Sequence, residues 1–379
     1  MKKNRHFIIG SISIVILAFY FSLPKYIQRA IIYQKVGIED YKIFENRTVK
    51  AGNYIPWELS KNYNKIKLND STLKKIEKYK PIAFLVIQDK KIRYERYWDD
   101  FNQNSLSNSF SAAKSIVSLL IGIAIDEGKI DSLNQKVVDI LPEFSKNPEN
   151  KNLRIVDLLT MSSGLNWDEN YGSLFSTTTK AYYGTDLWKQ INNLKVTEQS
   201  GKKFKYLSCN PQLLGIILNK ATGKTVSEYA SEKIWQKIGA KNDALWSLDH
   251  KDGIEKAYCC FNSNARDFAR FGQLILNNGR WDSTRVISEN YIKQATKPAT
   301  YLSDKNGKPV DFYGFQWWIM KYKNYNIPYA RGILGQYIFV IPEKNAVVVR
   351  LGHKRDKRKK NHTPVDAYLY LKAAFDILE

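Results

Sequence analysis

A serine three residues ahead of a lysine, at the start of an apolar helix, is an arrangement that makes a nucleophile. Ser111-Ala-Ala-Lys114 has it, and residues 111–128 read SAAKSIVSLLIGIAIDEG, an apolar run closed by Gly128. A helix is expected there. Positions i and i+3 share a helix face, so Lys114 falls beside Ser111. The helix N-terminus adds free N–H groups and positive potential near the Ser oxygen. A lysine amine buried at that place loses its charge readily and accepts the serine proton. The same spacing recurs at Ser71-Thr-Leu-Lys74 and Ser200-Gly-Lys-Lys203. Ser71 opens the charged stretch KKIEKYK, which does not suit a buried helix, and Ser200 lies beside Gly201 in a polar turn. For any isolated match the plain alternative is an N-capping serine with a solvated lysine one turn on.

Two further segments carry chemistry. In Phe204-Lys-Tyr206-Leu-Ser208-Cys-Asn210 a tyrosine precedes the apolar stretch that begins Leu213-Leu214-Gly215. Such a tyrosine is usually core, but Ser208, two residues on, is a small polar group that could reach Lys114. Tyr322-Lys-Asn324 is a competing match in a charged loop. The run Ala330-Arg331-Gly332-Ile333-Leu334-Gly335-Gln336 ends an expected strand. Its glycines allow close backbone approach to a ligand, or form an ordinary turn. A Ser-His-Asp site is not supported: the four histidines, His6, His250, His353 and His362, lie in polar segments or beside the N-terminal apolar run, and there is no G-x-S-x-G elbow. Metal motifs and phosphate loops are missing.

The elements that must position these residues follow from patterning. An apolar run at 82–88 and an alternating run at 92–98 flank the turn Asp89-Lys90-Lys91, a hairpin. Helices are expected at 155–159, 210–221, 226–238 and 265–277, and strands at 314–320, 329–333, 337–341 and 346–351, before a closing helix at 364–378. Strands at both ends with helices between imply one sheet assembled from both ends and an inserted helical lobe. The cleft between the lobes is the natural place for a site. No internal repeat is found.

The 379 residues, 44% apolar and 13% aromatic, make a globular composition. The formal charge of +22 reads mainly as lysine scattered over solvated faces. One cluster stands out: Lys354, Arg355, Lys357, Arg358, Lys359 and Lys360. Without interleaved aromatics or a nucleic-acid module it reads as a basic loop facing anionic lipid or cell-wall polymer, not nucleic acid. The three cysteines, Cys209, Cys259 and Cys260, read as packing residues, since vicinal cysteines rarely pair. Residues 7–23, FIIGSISIVILAFYFSL, follow Lys2, Lys3 and Arg5 and precede Pro24. With no small-residue cleavage site after it, the run reads as an uncleaved membrane anchor rather than a signal peptide. The basic flank then places the rest of the chain outside the cytoplasm.

Together the three segments resemble the serine β-lactamase and D-Ala-D-Ala-peptidase superfamily, in its class C-like branch with esterases and the 6-aminohexanoate-dimer hydrolases. The resemblance covers residues 80–378 in matching order. It extends to LRIVDLLTMSSGLNWDE (153–169), NARDFARFGQLILNNGRW (264–281) and YGFQWW (313–318). It implies an α+β fold, an antiparallel sheet flanked by N- and C-terminal helices plus an inserted mainly helical lobe. With the reading of the N-terminal run, the expected division is a membrane anchor (or signal peptide) at 1–27, a stalk and leading segment at 28–79, and a hydrolase domain at 80–379. Within that domain the sheet lobe takes 80–110 and 310–379, and the helical lobe 111–309. Carried over, Ser111 is the acylated nucleophile, Lys114 its base and Tyr206 a second acid/base. The N–H groups of Ser111 and Ile333 form the oxyanion hole, with Ser208 and Gly332 in support. Ser208 stands where most relatives have Asn. Ala330 stands where β-lactamases carry the Lys of Lys-Thr-Gly, which favours short esters and small linear amides over β-lactams. No cofactor is implied. A D,D-peptidase, a true β-lactamase and a silent binding protein of the same fold are the alternatives.

Overall fold

The structure, a computed structural model, describes residues 13, 15 and 17–378. Its centre is a seven-stranded sheet. In chain order the strands are β1 (Glu58–Leu59), β2 (Pro81–Gln88), β3 (Lys91–Tyr97), β4 (Trp318–Tyr322), β5 (Tyr325–Gly332), β6 (Gln336–Ile341) and β7 (Ala346–Gly352). In space they run β4-β5-β6-β7-β2-β3-β1. All neighbours are antiparallel except β1 and β3. The sheet joins both ends of the chain through β7 and β2, where Val348 lies opposite Val86.

Strand β2 shows why an almost wholly apolar run is needed there. Phe84 and Val86 belong to the core on one face, and Ala83, Leu85 and Ile87 to the core on the other. A strand covered on both faces loses its polar alternation. The turn into β3 places Asp89 and Lys90 at φ of 51° and 61°, the left-handed pair that matches hairpin twist. The closing helix Val365–Leu378 packs on the Phe84 face. On the opposite face lie helix α1 (Ala113–Asp126), α2 (Cys209–Thr222) and α3 (Ala265–Leu276), within the inserted region. The result is a mixed α/β fold: a multi-stranded sheet, flanking N- and C-terminal helices and an inserted helical region.

Residues 28–79 contribute β1, the helix Asp70–Glu77 and a strand, Asn46–Val49. That strand pairs with Ala244–Ser247 in a second, four-stranded sheet that also holds Phe261–Ser263 and Ser107–Asn108.

Several expectations are corrected. The N-terminal membrane anchor, with the membrane as partner and the placement outside the cytoplasm, is not upheld. Among the described residues no helix is long and apolar enough to cross a membrane. The helical stretch within 7–23 stops at Ser22, before Pro24, whose ring disfavours helix at the preceding residue. A new helix, Lys25–Tyr33, buries Ile27 and Ala30. The early part of the apolar run, and the flanking Lys2, Lys3 and Arg5, lie outside the described residues. Cys259 and Cys260 are joined by a disulfide, while Cys209 is a buried free thiol. The helix expected at 226–238 is α-helical only over Val226–Ala230 and continues as a π-turn, Ser231–Trp235. Residues 314–317 stay outside the strand, which starts at Trp318. By contrast, the charged stretch after Ser71 is no buried helix, as expected: it forms a helix that buries only Thr72 and Ile76.

Candidate active site

The segment before Ser111 is built to hold one backbone shape. Phe110 takes φ of 44°, in the left-handed region that costs a bulky residue energy. Its N–H donates to Asn108 Oδ1 at 2.8 Å, and Ser109 N–H donates to Phe261 O at 2.8 Å. Ser111 sits in a 3-10 turn, Phe110–Ala112, and α1 begins only at Ala113. The helix therefore starts two residues later than expected, and Lys114 lies in its first turn.

Lys114 is 1% exposed. Its Nζ donates to Tyr258 O at 2.6 Å, Ser208 Oγ at 3.2 Å and Ser111 Oγ at 3.3 Å. An ammonium has three donors, and all three are used. Burial lowers the Lys114 pKa to about 8, and the Glu169 charge opposes the shift. At pH 7 about one molecule in ten then carries a neutral amine, with a lone pair free for the Ser111 proton.

Tyr206 comes from the loop before α2. Its ring packs 5.4 Å from Trp318 and 6.2 Å from Tyr313. Burial pushes its phenol up to about 12, against a hydrogen bond with Ser111 and the charges of Arg331 and Arg355. Ser208 stands buried just ahead of α2, its side chain making no bond to the helix's first N–H groups. Both its N–H and its Oγ donate to the Glu169 carboxylate, each at 2.6 Å. Tyr171, an exposed residue of the same loop, also donates to Glu169. Lys114, Ser208 and Glu169 thus form a chain that leads from the neighbour of Ser111 to a carboxylate.

The fourth side of the site is the end of β5. A Cβ at Gly332 would lie 2.2 Å from Ser109 O, so only glycine allows the strand this close to the Ser111 turn. Ile333 opens the turn that follows. That turn is held by Arg350, a buried side chain whose Nη1 donates to Leu334 O at 2.6 Å and Gly335 O at 2.7 Å. Ala330 faces the helical lobe's core, opposite Ile338.

Ser111, Lys114, Tyr206 and Ser208 are therefore brought into one cluster, with Gly332 against its entry turn. The competing residues lie elsewhere. Ser71 is exposed on its helix, and Ser200 Oγ donates to Ser163 O at 2.7 Å. Tyr322 packs on Phe375 of the closing helix. His250 pairs with Asp249, His353 packs on Phe101, and His362 stacks on Phe312. A cavity of about 410 Å³ beside Trp57, Arg270 and Trp281 shares no residue with the cluster. Reading the sequence missed Glu169, the Tyr258 carbonyl and Arg350. Glu169 ends the stretch at 153–169 that carried the resemblance, but nothing in its spacing tied it to Ser208.

Known proteins share this arrangement of elements. A family model described as Beta-lactamase matches residues 70–370. The 6-aminohexanoate-dimer hydrolase of Paenarthrobacter ureafaciens is 26% identical over 285 residues, 71% of each chain. A Bacillus anthracis structure, provisionally described as a 6-aminohexanoate-dimer hydrolase, superposes with a TM-score of 0.75 at 22% identity. That match covers 88% of this chain and 90% of the other. A family VIII carboxylesterase structure gives a TM-score of 0.65 at 17% identity, over 84% of this chain and 98% of that one. The two structures speak for the fold; the family model, spanning most of the sequence, speaks for descent. This chain belongs to the beta-lactamase family, with the fold of its serine hydrolases.

Proposed function

We propose that this protein is a serine hydrolase that cleaves an ester or a small amide through an acyl-enzyme on Ser111. The observation that carries the reading is the buried Lys114 amine, 3.3 Å from Ser111 Oγ and depressed to a pKa of about 8. A general base must lie within reach of the proton it takes and titrate near the working pH.

Ser111 Oγ attacks the carbonyl carbon, and its proton passes to Lys114, directly or through Tyr206. The oxyanion accepts hydrogen bonds from the N–H groups of Ser111 and Ile333. As the intermediate collapses, Tyr206 gives a proton to the departing alcohol or amine. Water then attacks the acyl carbon and returns a proton to the Lys114–Tyr206 pair. Ser111 regains its own proton as the acid leaves. Ser208 and Glu169 hold the Lys114 amine in place. The names of the relatives, a dimer hydrolase and a carboxylesterase, support this reaction class.

The test is pre-steady-state turnover of p-nitrophenyl acetate. A burst of one p-nitrophenolate per protein, lost in Ser111→Ala with the circular dichroism unchanged, is the expected result. A Ser111→Ala protein that still gives the burst would remove Ser111 from the mechanism. No turnover of any ester or amide by the wild type would favour a silent binding protein.

A further inference from the structure

The basic cluster at 354–360 has no part in the acyl-transfer steps, yet the fold brings it to their edge. Residues 359–360 and 363–364 form a two-stranded ribbon. This ribbon is fastened to the end of β5: Arg331 Nη1 donates to His362 O at 2.8 Å, and to Tyr329 Oη at 3.2 Å. Arg331 is only 6% exposed, and its guanidinium carbon lies 3.3 Å from the centre of the Trp318 ring. That ring packs against Tyr206. Arg355 stands by the turn after β5, its Cβ 3.3 Å from where a Cβ on Gly335 would be.

Four cations act on one another here: Lys305, Arg331 and Arg355 each bear electrostatically on Lys359, whose ribbon is tied to Arg331 through His362. Their mutual repulsion, after burial, lowers the pKa of Lys359, and Arg331 and Arg355 both act on Tyr206. Among the described residues no carboxylate pairs with any of the four. The nearby acids are engaged: Asp356 pairs with Arg358 and Asp311 with Lys321, Asp304 accepts the N–H groups of Asn306 and Lys308, Glu169 accepts from Ser208, and Asp366, whose charge reaches Arg355, accepts from Tyr337 Oη and the Asp356 N–H. A buried arginine without a counter-ion is expensive, and a bound anion offsets that cost. One negative charge would leave most of this positive charge unmatched.

We propose that the substrate of Ser111 is a polyanion: an ester or amide whose body carries two or more carboxylate or phosphate charges, bound by Arg331, Arg355 and Lys359 beside Tyr206. This rests on the hydrolase reading above. It also revises what Ala330 implied. The positive charge absent from that position is supplied instead by Arg331, Arg355 and Lys359, in a form suited to an extended, multiply charged molecule.

The test uses acetate esters that share an acyl group and differ in charge: phenyl acetate, 4-acetoxybenzoate, 5-acetoxyisophthalate and 4-acetoxyphenyl phosphate. Each kcat/KM is divided by the ester's hydroxide-catalysed rate. From phenyl acetate to 5-acetoxyisophthalate the corrected kcat/KM should rise by about 10- to 10³-fold at low ionic strength and flatten in high salt. The phosphate ester tells whether phosphate serves as well as carboxylate. The double variant Arg355→Glu/Lys359→Glu should collapse the dianion-to-neutral ratio. Lys129→Glu/Lys220→Glu changes net charge equally at exposed sites near the far ends of α1 and α2, about 20 Å along each helix, and should leave the ratio intact. Equal corrected rates for neutral and dianionic esters would overturn the proposal while sparing the hydrolase reading. A ratio lowered equally by both double variants would also overturn it, since the charge would then act from the whole surface. Hydrolysis of none of the four esters would overturn both readings together.

Discussion

At the scale of single residues, the account turns on proton affinity. Lys114 must be neutral to accept the Ser111 proton, and burial sets its pKa at about 8. The acylation rate should therefore rise with pH through about 8 and level off above it. Glu169 raises the Lys114 pKa by its charge, so Glu169→Gln should move this limb to lower pH. Stopped-flow acylation across the pH range reads both effects, and a limb unmoved or moved upward in Glu169→Gln would contradict the assignment. Tyr206 makes a separate claim. Tyr206→Phe keeps the ring packed on Trp318 and removes only the hydroxyl, so kcat should fall by about 10²- to 10⁴-fold. Unchanged kcat and kcat/KM would take Tyr206 out of the mechanism. Much of this cluster was legible in advance because Ser111 and Lys114 are linked by local spacing, and Tyr206 and Ser208 share one short segment. Glu169 was not. Its link to Ser208 spans 39 residues and exists only once a loop folds over α2.

Among the elements, the contact that matters most is between the end of β5 and the turn that carries Ser111. It depends on the missing side chain at Gly332. A methyl group there would meet Ser109 O at 2.2 Å, so Gly332→Ala must push the strand and the turn apart. Overpacking of this kind costs about 1–3 kcal/mol, and urea unfolding should show a loss in that range. The kcat of the variant should fall as well, because the Ile333 N–H moves with the strand. Wild-type stability and kcat in Gly332→Ala would show that the approach is not needed. The elements themselves were legible where periodicity was strong. The 82–88 run gave β2 and the 265–277 pattern gave α3 within a residue or so. Periodicity failed where the backbone departs from it. Apolar spacing at 226–238 carries no sign of the π-turn at Ser231, and Phe315 and Trp317 are buried without pairing as a strand.

For the whole molecule, the decisive fact is that the sheet closes across the chain's two ends. Strand β2 is flanked by β3 from its own hairpin and by β7, more than 250 residues away. A fragment ending at residue 309 would leave Phe84 and Val86 without β7 and without the closing helix. It should show no cooperative unfolding transition, and a sharp transition in that fragment would mean that the N-terminal hairpin and helical region fold alone. The same closure brings β5 against the Ser111 turn, so no shorter piece is expected to be active. The central claim, that Ser111 is the nucleophile this fold exists to present, is tested most directly by covalent trapping. The folded protein is treated with a fluorophosphonate, digested and mapped by mass spectrometry. The account predicts one adduct, on the peptide carrying Ser111, lost on prior unfolding and lost in Lys114→Met. An adduct on Ser71 or Ser200 with Ser111 unmodified would contradict it.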